Sequence, residues 1–498
     1  NIPVDSLNAS PGDIENKKKV ARLLSRYLDL DYSFIIERIR RPKQFVWIAR
    51  KLSPEVSEAI RRLKLKGLGF IKESMRSYPN GYIGGHILGF AGLDNVGLEG
   101  VELFYDKYLR GESGWAYILR DARQKQLSFQ EKIVPPKDGF DIVLTIDEVI
   151  QFIAERELDE ACRVHNARGG SIVVMDPFTG EILALANRPK FDPNLVSDRK
   201  PDIMRNRAIC DLFEPGSVFK IVTACAALEE KAFVENDRLF CENGAYRIAN
   251  HILHDHRPHG NLTFREIFEQ SSNIGVTKIA QKLGPEVIYK YAKLFGFGSS
   301  TGIDLPGEIN GILKEPKHWS NTSIGAVPIG QEVAVTAIQL ACAISVIANG
   351  GNLMCPYVIK RIQDRYNEVI KEYSPRVKRR VISKETALRM RRILQGVVGQ
   401  GTGRRASSSE FTTAGKTGTA QKIEPDGRYS HRKFIASFIG FAPAENPRLA
   451  VAVVIDEPHP YYFGGVVSAP VFKNVVEDSL KYLGVPADKT QMVLNNRQ

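Results

Sequence analysis

No stretch of the 498-residue chain is apolar over the length that crosses a bilayer. The longest apolar run, residues 333–348, is interrupted by Thr336, Gln339 and Ser345 and predicts a core helix instead. The chain starts at Asn1 rather than methionine, so a processed form that has lost an N-terminal anchor is the expectation. Six cysteines (Cys162, Cys210, Cys225, Cys241, Cys342, Cys355) show neither C-x-x-C nor zinc-type spacing. Most sit among apolar neighbours and read as buried thiols, which leaves the redox compartment open. Walker loop, Rossmann glycine fingerprint and H-E-x-x-H are all missing, so nucleotide and zinc-protease chemistry have no support. There is no internal repeat and no long low-complexity segment.

What is present is a globular composition, 43% hydrophobic and 25% charged. At this length two or more domains are expected. The net charge is +12, with local basic clusters at residues 17–19, 38–43 and 61–66. Such clusters suit anionic lipid, nucleic acid, an acidic polymer or simply a solvated face.

Residues 1–139 are mixed and charge-rich, with helical periodicity over 14–30 and 53–66 and strand-like stretches at 45–49 and 67–73. Tyr78-Pro79-Asn80-Gly81 signals a turn, and nothing in this part looks like a reaction centre. Composition shifts at 135–139 mark a boundary. A short strand (141–145) and an amphipathic helix (147–164) follow, then an apolar hairpin of residues 170–176 and 181–187 around Pro177-Phe178-Thr179-Gly180. Helices dominate 217–351, and strands return at 412–422, 434–442 and 449–456. Strands at both ends with helices between predict an α+β fold: one antiparallel sheet with helices on its faces, preceded by a mixed α/β pedestal. The expected domains are a pedestal over 1–139 with a packing or docking role and no reaction centre, a second domain over 140–485 and a tail over 486–498.

The stretch around which the second domain is organised is Glu214-Pro215-Gly216-Ser217-Val218-Phe219-Lys220, followed by an unbroken apolar run. It predicts a buried helix opened by Ser217, with Lys220 on the same face. A serine hydroxyl needs a base, and a lysine serves only when neutral. From about 10.4 its pKa must fall by roughly 3 units, which burial and a second cation can supply. The plain alternative is a capped helix with a snorkelling lysine. Farther along lie Ser271-Ser272-Asn273 and Lys416-Thr417-Gly418-Thr419. Taken singly, Ser271 can be a cap and Lys416 to Thr419 an edge strand with a bulge. Together the motifs run S-x-x-K, S-x-N, K-T-G.

This ordered set resembles penicillin-binding proteins and class A β-lactamases, in which the middle element is S-D-N. Gly180 to Ala186, Phe213 to Ser217, Gly302 to Glu308, Pro328 to Gln331 and Gly401-Thr402-Gly403 extend the resemblance to class B penicillin-binding proteins. Arg76 to Gly81, His86 to Gly89, Leu98 to Glu102 and Asp106 to Gly111 resemble that family's pedestal, which implies that the first domain is of the non-catalytic, dimerisation type and the second the catalytic one. Arg207-Ala208 before the serine motif, and the little chain beyond Leu483, favour the FtsI-like, cell-division branch. The resemblance implies a D,D-transpeptidase that cross-links peptidoglycan stem peptides through a serine acyl-enzyme and is acylated by β-lactams. Ser217 would be nucleophile, Lys220 general base, Ser271 proton relay and Asn273 the group holding Lys220 and the substrate amide. Lys416 would lower the proton affinity of Lys220 and attract the substrate carboxylate, with Thr417 and Thr419 binding it. Gly418 would let the strand approach the ligand, and the N–H groups of Ser217 and Thr419 would form an oxyanion hole. Implied partners are glycan strands with stem peptides, a membrane glycosyltransferase and other division proteins. No nucleic acid, cofactor or metal is implied. The implied location is the cytoplasmic membrane, catalytic domain outside.

Rival readings are an elongation- or sporulation-type transpeptidase, a carboxypeptidase or β-lactamase hydrolase, and an inert sensor or scaffold. A class A lactamase commonly carries E-x-x-L-N; the nearest string, Gln491-Met492-Val493-Leu494-Asn495, has glutamine and lies in the tail. Retention of every motif residue argues against an inert relative. His251, His254, Asp255, His256 and His259 form a separate cluster of zinc-binding type, but without paired cysteines it reads as a polar surface loop.

Overall fold

The computed structural model describes residues 1–116 and 133–489. Most of the tail, including the Gln491 to Asn495 string, lies outside the described residues. The chain divides into two units, Asn1–Gly81 with Gly89–Pro136, and Tyr82–Leu88 with Lys137–Gln498.

In the first unit β1 (Ile2–Ala9) is the centre of an antiparallel sheet, and α1 (Lys17–Leu28), α2 (Tyr32–Arg40), β2 (Val46–Leu52), α3 (Pro54–Arg62) and β3 (Leu68–Met75) follow. The strand order is β2-β1-β3. The expected helices shorten because side chains cap them. Asn16 accepts from Lys19 N–H, and Ser53 accepts from Val56 N–H with Pro54 in the first turn. Leu7, Val20, Leu24, Ile35, Ile39, Ile48 and Ile60 make one small core. The Tyr78-Pro79-Asn80-Gly81 turn closes with Gly81 N–H on the Tyr78 carbonyl and Gly81 at φ +58.

The pedestal expected over 1–139 is interrupted, because residues 82–88 belong to the second unit. A Cβ on Gly85 would lie 2.1 Å from the Phe191 carbonyl, and His86 Nε2 is 2.8 Å from the Ile203 carbonyl. Those contacts fix the segment there.

The second unit is built from α4 (Glu148–Val164), β4 (Gly169–Met175), β5 (Ile182–Arg188), α5 (Lys220–Glu229), α6 (Asn273–Leu283), α7 (Ala337–Ala348), β6 (Ala414–Ile423), β7 (Tyr429–Ala442), β8 (Leu449–Asp456) and α8 (Gly464–Tyr482). Five strands form one antiparallel sheet in the order β6-β7-β8-β4-β5. Every residue of β4 is buried, as a strand covered on both faces requires. Ile172, Val174, Phe438 and Val453 pack with Ile153 and Leu158 of α4 and Phe472 and Val475 of α8 on one face. On the other lies α7, where Ser345 Oγ meets Met175 Sδ at 3.5 Å.

All twelve residues of α7 are buried, so the apolar run is a core helix. It is shorter than the expected 333–348, because Thr336 and Gln339 form a reciprocal capping box. Val333–Ala334 is a short strand. Among the described residues no helix is long and apolar enough to cross a membrane.

Candidate active site

Ser217 sits on a 3-10 turn, Gly216–Phe219, that leads into α5, and not within the α-helix itself. In such a turn residues i and i+3 eclipse, so Ser217 and Lys220 share one side more closely than α-helical spacing gives. Two glycines press this turn against the edge strand β6. Gly216 has φ +56 and donates its N–H to the Gly330 carbonyl at 3.0 Å. A Cβ on Gly216 would lie 2.7 Å from the Thr419 carbonyl, and one on Gly330 would lie 2.1 Å from the Gly216 carbonyl.

The middle motif is held by the histidine-rich segment. Asp255 accepts Ser272 Oγ–H at 2.6 Å and Ile274 N–H at 3.1 Å, and also takes Asn273 N–H. Ser272 then caps α6 by accepting Gly275 N–H at 2.9 Å. The His254 carbonyl accepts from Asn273 Nδ2 at 2.9 Å. Asp255 is therefore an anchor of the site, a role its sequence neighbourhood did not announce. Among the described residues no group of three or more His, Cys, Asp or Glu is placed to hold a metal ion.

Because Ser272 does the capping, Ser271 is left to face the lysines. It has φ +58, the left-handed region that costs a non-glycine residue of order 1–3 kcal/mol. Lys220 Nζ donates to the Ser271 carbonyl at 2.6 Å and to Asn273 Oδ1 at 2.7 Å, and lies 3.2 Å from Ser271 Oγ. Lys416 Nζ, at the far side, donates to the same Ser271 Oγ at 2.9 Å. Both amines are 0% exposed, while the serine they flank opens onto the cavity.

Burial lowers the Lys220 pKa to about 7, and the Asp255 carboxylate opposes the fall. Lys416 is lowered as well, first by burial and second by the charge of Lys220. The second cation was expected to depress Lys220. Desolvation is the main cause at both amines, and the repulsion between them belongs to the pair.

Ser217, Ser271, Asn273, Thr417, Gly418 and Thr419 all line one cavity of about 650 Å³. Lys220 and Lys416 stand behind that surface. Thr417 Oγ1 is 2.8 Å from Thr402 Oγ1, and Thr402 N–H donates to the Glu269 carbonyl at 3.2 Å, which ties the third motif to the second. Thr419 Oγ1 accepts Gly464 N–H at 3.1 Å. Gly418 is required by protein packing, since a Cβ there would lie 2.3 Å from Ser437 Oγ and 2.9 Å from the Pro215 carbonyl. Sequence reasoning also missed an aromatic wall of Phe434, Tyr462 and Phe463, with rings 4.0 and 4.5 Å apart. Its one signal was the dense Pro460-Tyr461-Tyr462-Phe463 string. Among the described residues Ser217 Oγ has no hydrogen-bond partner, leaving it free toward the cavity.

A serine on a tight turn at the cavity, a buried lysine of lowered pKa three residues on and a second serine shared by two amines are the arrangement an S-x-x-K acyltransferase would use. The penicillin binding protein transpeptidase domain matches residues 170–477, and the penicillin-binding protein dimerisation domain matches residues 1–144. The chain belongs to the penicillin-binding protein transpeptidases. It is similar to the Stage V sporulation protein D of Bacillus subtilis, 40% identical over 492 residues that cover 97% of this chain and 76% of that protein. It is similar to the peptidoglycan D,D-transpeptidase FtsI of Escherichia coli, 32% identical over 509 residues, 99% and 84% of the two. Penicillin binding protein 3 of Mycobacterium tuberculosis, solved in complex with ampicillin, has a TM-score of 0.74 and 32% identity over 84% of this chain and 91% of that one.

Proposed function

We propose that the chain is a peptidoglycan D,D-transpeptidase in which Ser217 is the nucleophile and Lys220 its general base. The observation that carries this is how Lys220 spends its donors. A neutral amine has two N–H groups, and the Ser271 carbonyl and Asn273 Oδ1 take both. The lone pair is left for a hydroxyl proton, with Ser271 Oγ 3.2 Å away and Ser217 three residues earlier on the turn that leads into Lys220. Ser217 Oγ attacks the carbonyl of the penultimate D-alanine as its proton passes to Lys220. The peptide C–N bond then breaks as Ser271 Oγ hands its proton to the departing amine and takes the one Lys220 received from Ser217, across the 3.2 Å between Lys220 Nζ and Ser271 Oγ. An acceptor amine resolves the acyl-enzyme by the reverse sequence. Asn273 fixes Lys220 and the substrate amide. Lys416 polarises Ser271 from behind, and Thr417 and Thr419 receive the substrate carboxylate. The N–H groups of Ser217 and Thr419 stabilise the oxyanion, removal of one such donor costing about 10²-fold or more. A β-lactam enters the same sequence, and its ring C–N bond is the one that breaks.

Residues 1–139, less the 82–88 segment that belongs to the second unit, act as the pedestal, and 140–485 as the catalytic domain, with 486–498 as a tail. The chain works outside the cytoplasmic membrane on an N-terminal anchor, beside a glycosyltransferase and other division proteins. The test is a peptide assay with a pentapeptide donor and an amine acceptor. Acceptor-dependent cross-linked product supports transpeptidation, and D-alanine release without it shows a hydrolase. The FtsI relative supports a septal role. The Bacillus sporulation protein, at 40% against 32% identity, favours a second reading in spore wall synthesis. Depletion separates them: blocked septation supports the first, and normal division with defective spores supports the second.

A further inference from the structure

Beside the catalytic cavity lies another of about 400 Å³, between the end of β6, the start of β4 and the segment that carries Arg205 and Arg207. Glu214 and Gln421 line both cavities, so the two share a wall. Four cations line the second one. Lys422 is paired with Asp456 and Glu457 at 2.7 and 2.6 Å, and Arg168 with Glu457 at 3.3 Å. Arg205 and Arg207 share a single carboxylate: Arg205 Nε is 3.0 Å and Arg207 Nη1 2.9 Å from Asp211. With Glu214 counted, four positive side chains meet four carboxylates, but Arg205 and Arg207 have only Asp211 between them.

Arg207 is 9% exposed, and its guanidinium makes one hydrogen bond among the described residues, to Asp211. Its Nε is buried without a partner, and so is Glu214 Oε2; both residues line this cavity. Buried donors and acceptors are rarely left unpaired, so two such groups on residues that line one cavity are unusual in a finished core. Among the described residues Glu214 makes no hydrogen bond to Arg207; its other oxygen accepts Glu332 N–H at 2.8 Å and Tyr429 OH at 3.1 Å, which hold the carboxylate in place. A ligand that completes the set carries an oxyanion for the arginines and an N–H for the glutamate. Apolar side chains such as Phe213, Ile435 and Val454 complete the lining.

We propose that this cavity is a second binding site, which takes a short peptide by its free carboxylate on Arg205 and Arg207 and by an N–H on Glu214. The choice of a peptide over another carboxylate rests on the transpeptidase reading. Occupation bears on the catalytic cavity directly, because Glu214 stands three residues before Ser217 and Gln421 two residues after Thr419. The ligand is held by ion pairing and hydrogen bonds, with no covalent step.

The test uses the full chain with Ser217 first acylated by a penicillin, so that the catalytic cavity is blocked. Calorimetric titration with D-alanyl-D-alanine should show saturable binding, weakened about tenfold or more in both Arg205→Gln and Arg207→Gln. The dipeptide amide, which lacks the carboxylate, should bind at least about tenfold more weakly. Arg205 is the more exposed of the pair, so its variant keeps the test valid if the Arg207 variant fails to fold. No saturable binding to the acylated protein, equal binding of the amide, or full affinity in Arg205→Gln overturns the proposal. Inorganic phosphate binding as tightly as the dipeptide overturns the peptide assignment. Failure of the penicillin to acylate Ser217 would instead count against the catalytic reading.

Discussion

Acylation should follow the protonation of Lys220, and the structure fixes where. With its pKa lowered from 10.5 to about 7, the neutral fraction of Lys220 is about one tenth at pH 6 and about nine tenths at pH 8. The second-order rate of acylation by a penicillin with no titrating group in that range should rise about tenfold between those values, with its midpoint near 7. An unburied lysine would have a neutral fraction of roughly 3 in 10,000 at pH 7, so burial gains about three powers of ten in available base. Asp255 supplies an internal control. Its charge raises the Lys220 pKa, so Asp255→Asn should move the midpoint to lower pH. The assay is stopped-flow acylation with a fluorescent penicillin, read against intact mass. A flat profile from pH 6 to 8, a midpoint near 10, or a shift to higher pH in Asp255→Asn refutes the reasoning.

Three further outcomes are expected. Ser271→Ala should keep thermal stability close to wild type and lower acylation by about 10²-fold, whereas Ser272→Ala should cost about 1 kcal/mol of stability through the lost cap, as denaturant titration would measure. Gly418→Ala should destabilise by about 1–3 kcal/mol because its Cβ meets Ser437 Oγ and the Pro215 carbonyl, and Ser437→Ala in the same chain should recover part of that loss in a melting experiment. Lys220→Met should lose acylation and change the pH dependence of stability. The folded wild type binds the Lys220 proton more weakly than the unfolded chain, so between about pH 7 and 10.5 its stability rises with pH. The melting difference between Lys220→Met and wild type should therefore move in the variant's favour as pH falls from about 9 to 6; an unchanged difference would count against the buried-amine account.

Much of the fold was legible because its signals are local. Val173 and Leu185 lie on apolar strands joined by a Pro-Phe-Thr-Gly turn, and Asp147 caps α4 by accepting the N–H groups of Val149 and Ile150 at 3.0 and 3.1 Å. The three motifs came from spacing and resemblance, and the structure brings their residues around one cavity. What escaped depends on contacts between residues far apart in sequence. Asp255 reaches Ser272 and Asn273 only once the hairpin of Ala245–Ile248 and His251–His254 has formed. Thr402 meets Thr417 because Gly401 packs on the Glu269 carbonyl, where a Cβ would lie 2.3 Å away. Gly418 lines the cavity as its motif suggested, and it also needs to be glycine because its neighbour is Ser437 on the adjacent strand, a register that no single segment encodes. The desolvation that governs Lys220 is likewise a property of the assembled site.

The most direct measurement is the intact mass of wild type and Ser217→Ala after incubation with a penicillin. The account predicts a stable adduct of one penicillin on wild type and none on the variant. No adduct on wild type, or an adduct that survives in Ser217→Ala, would contradict it.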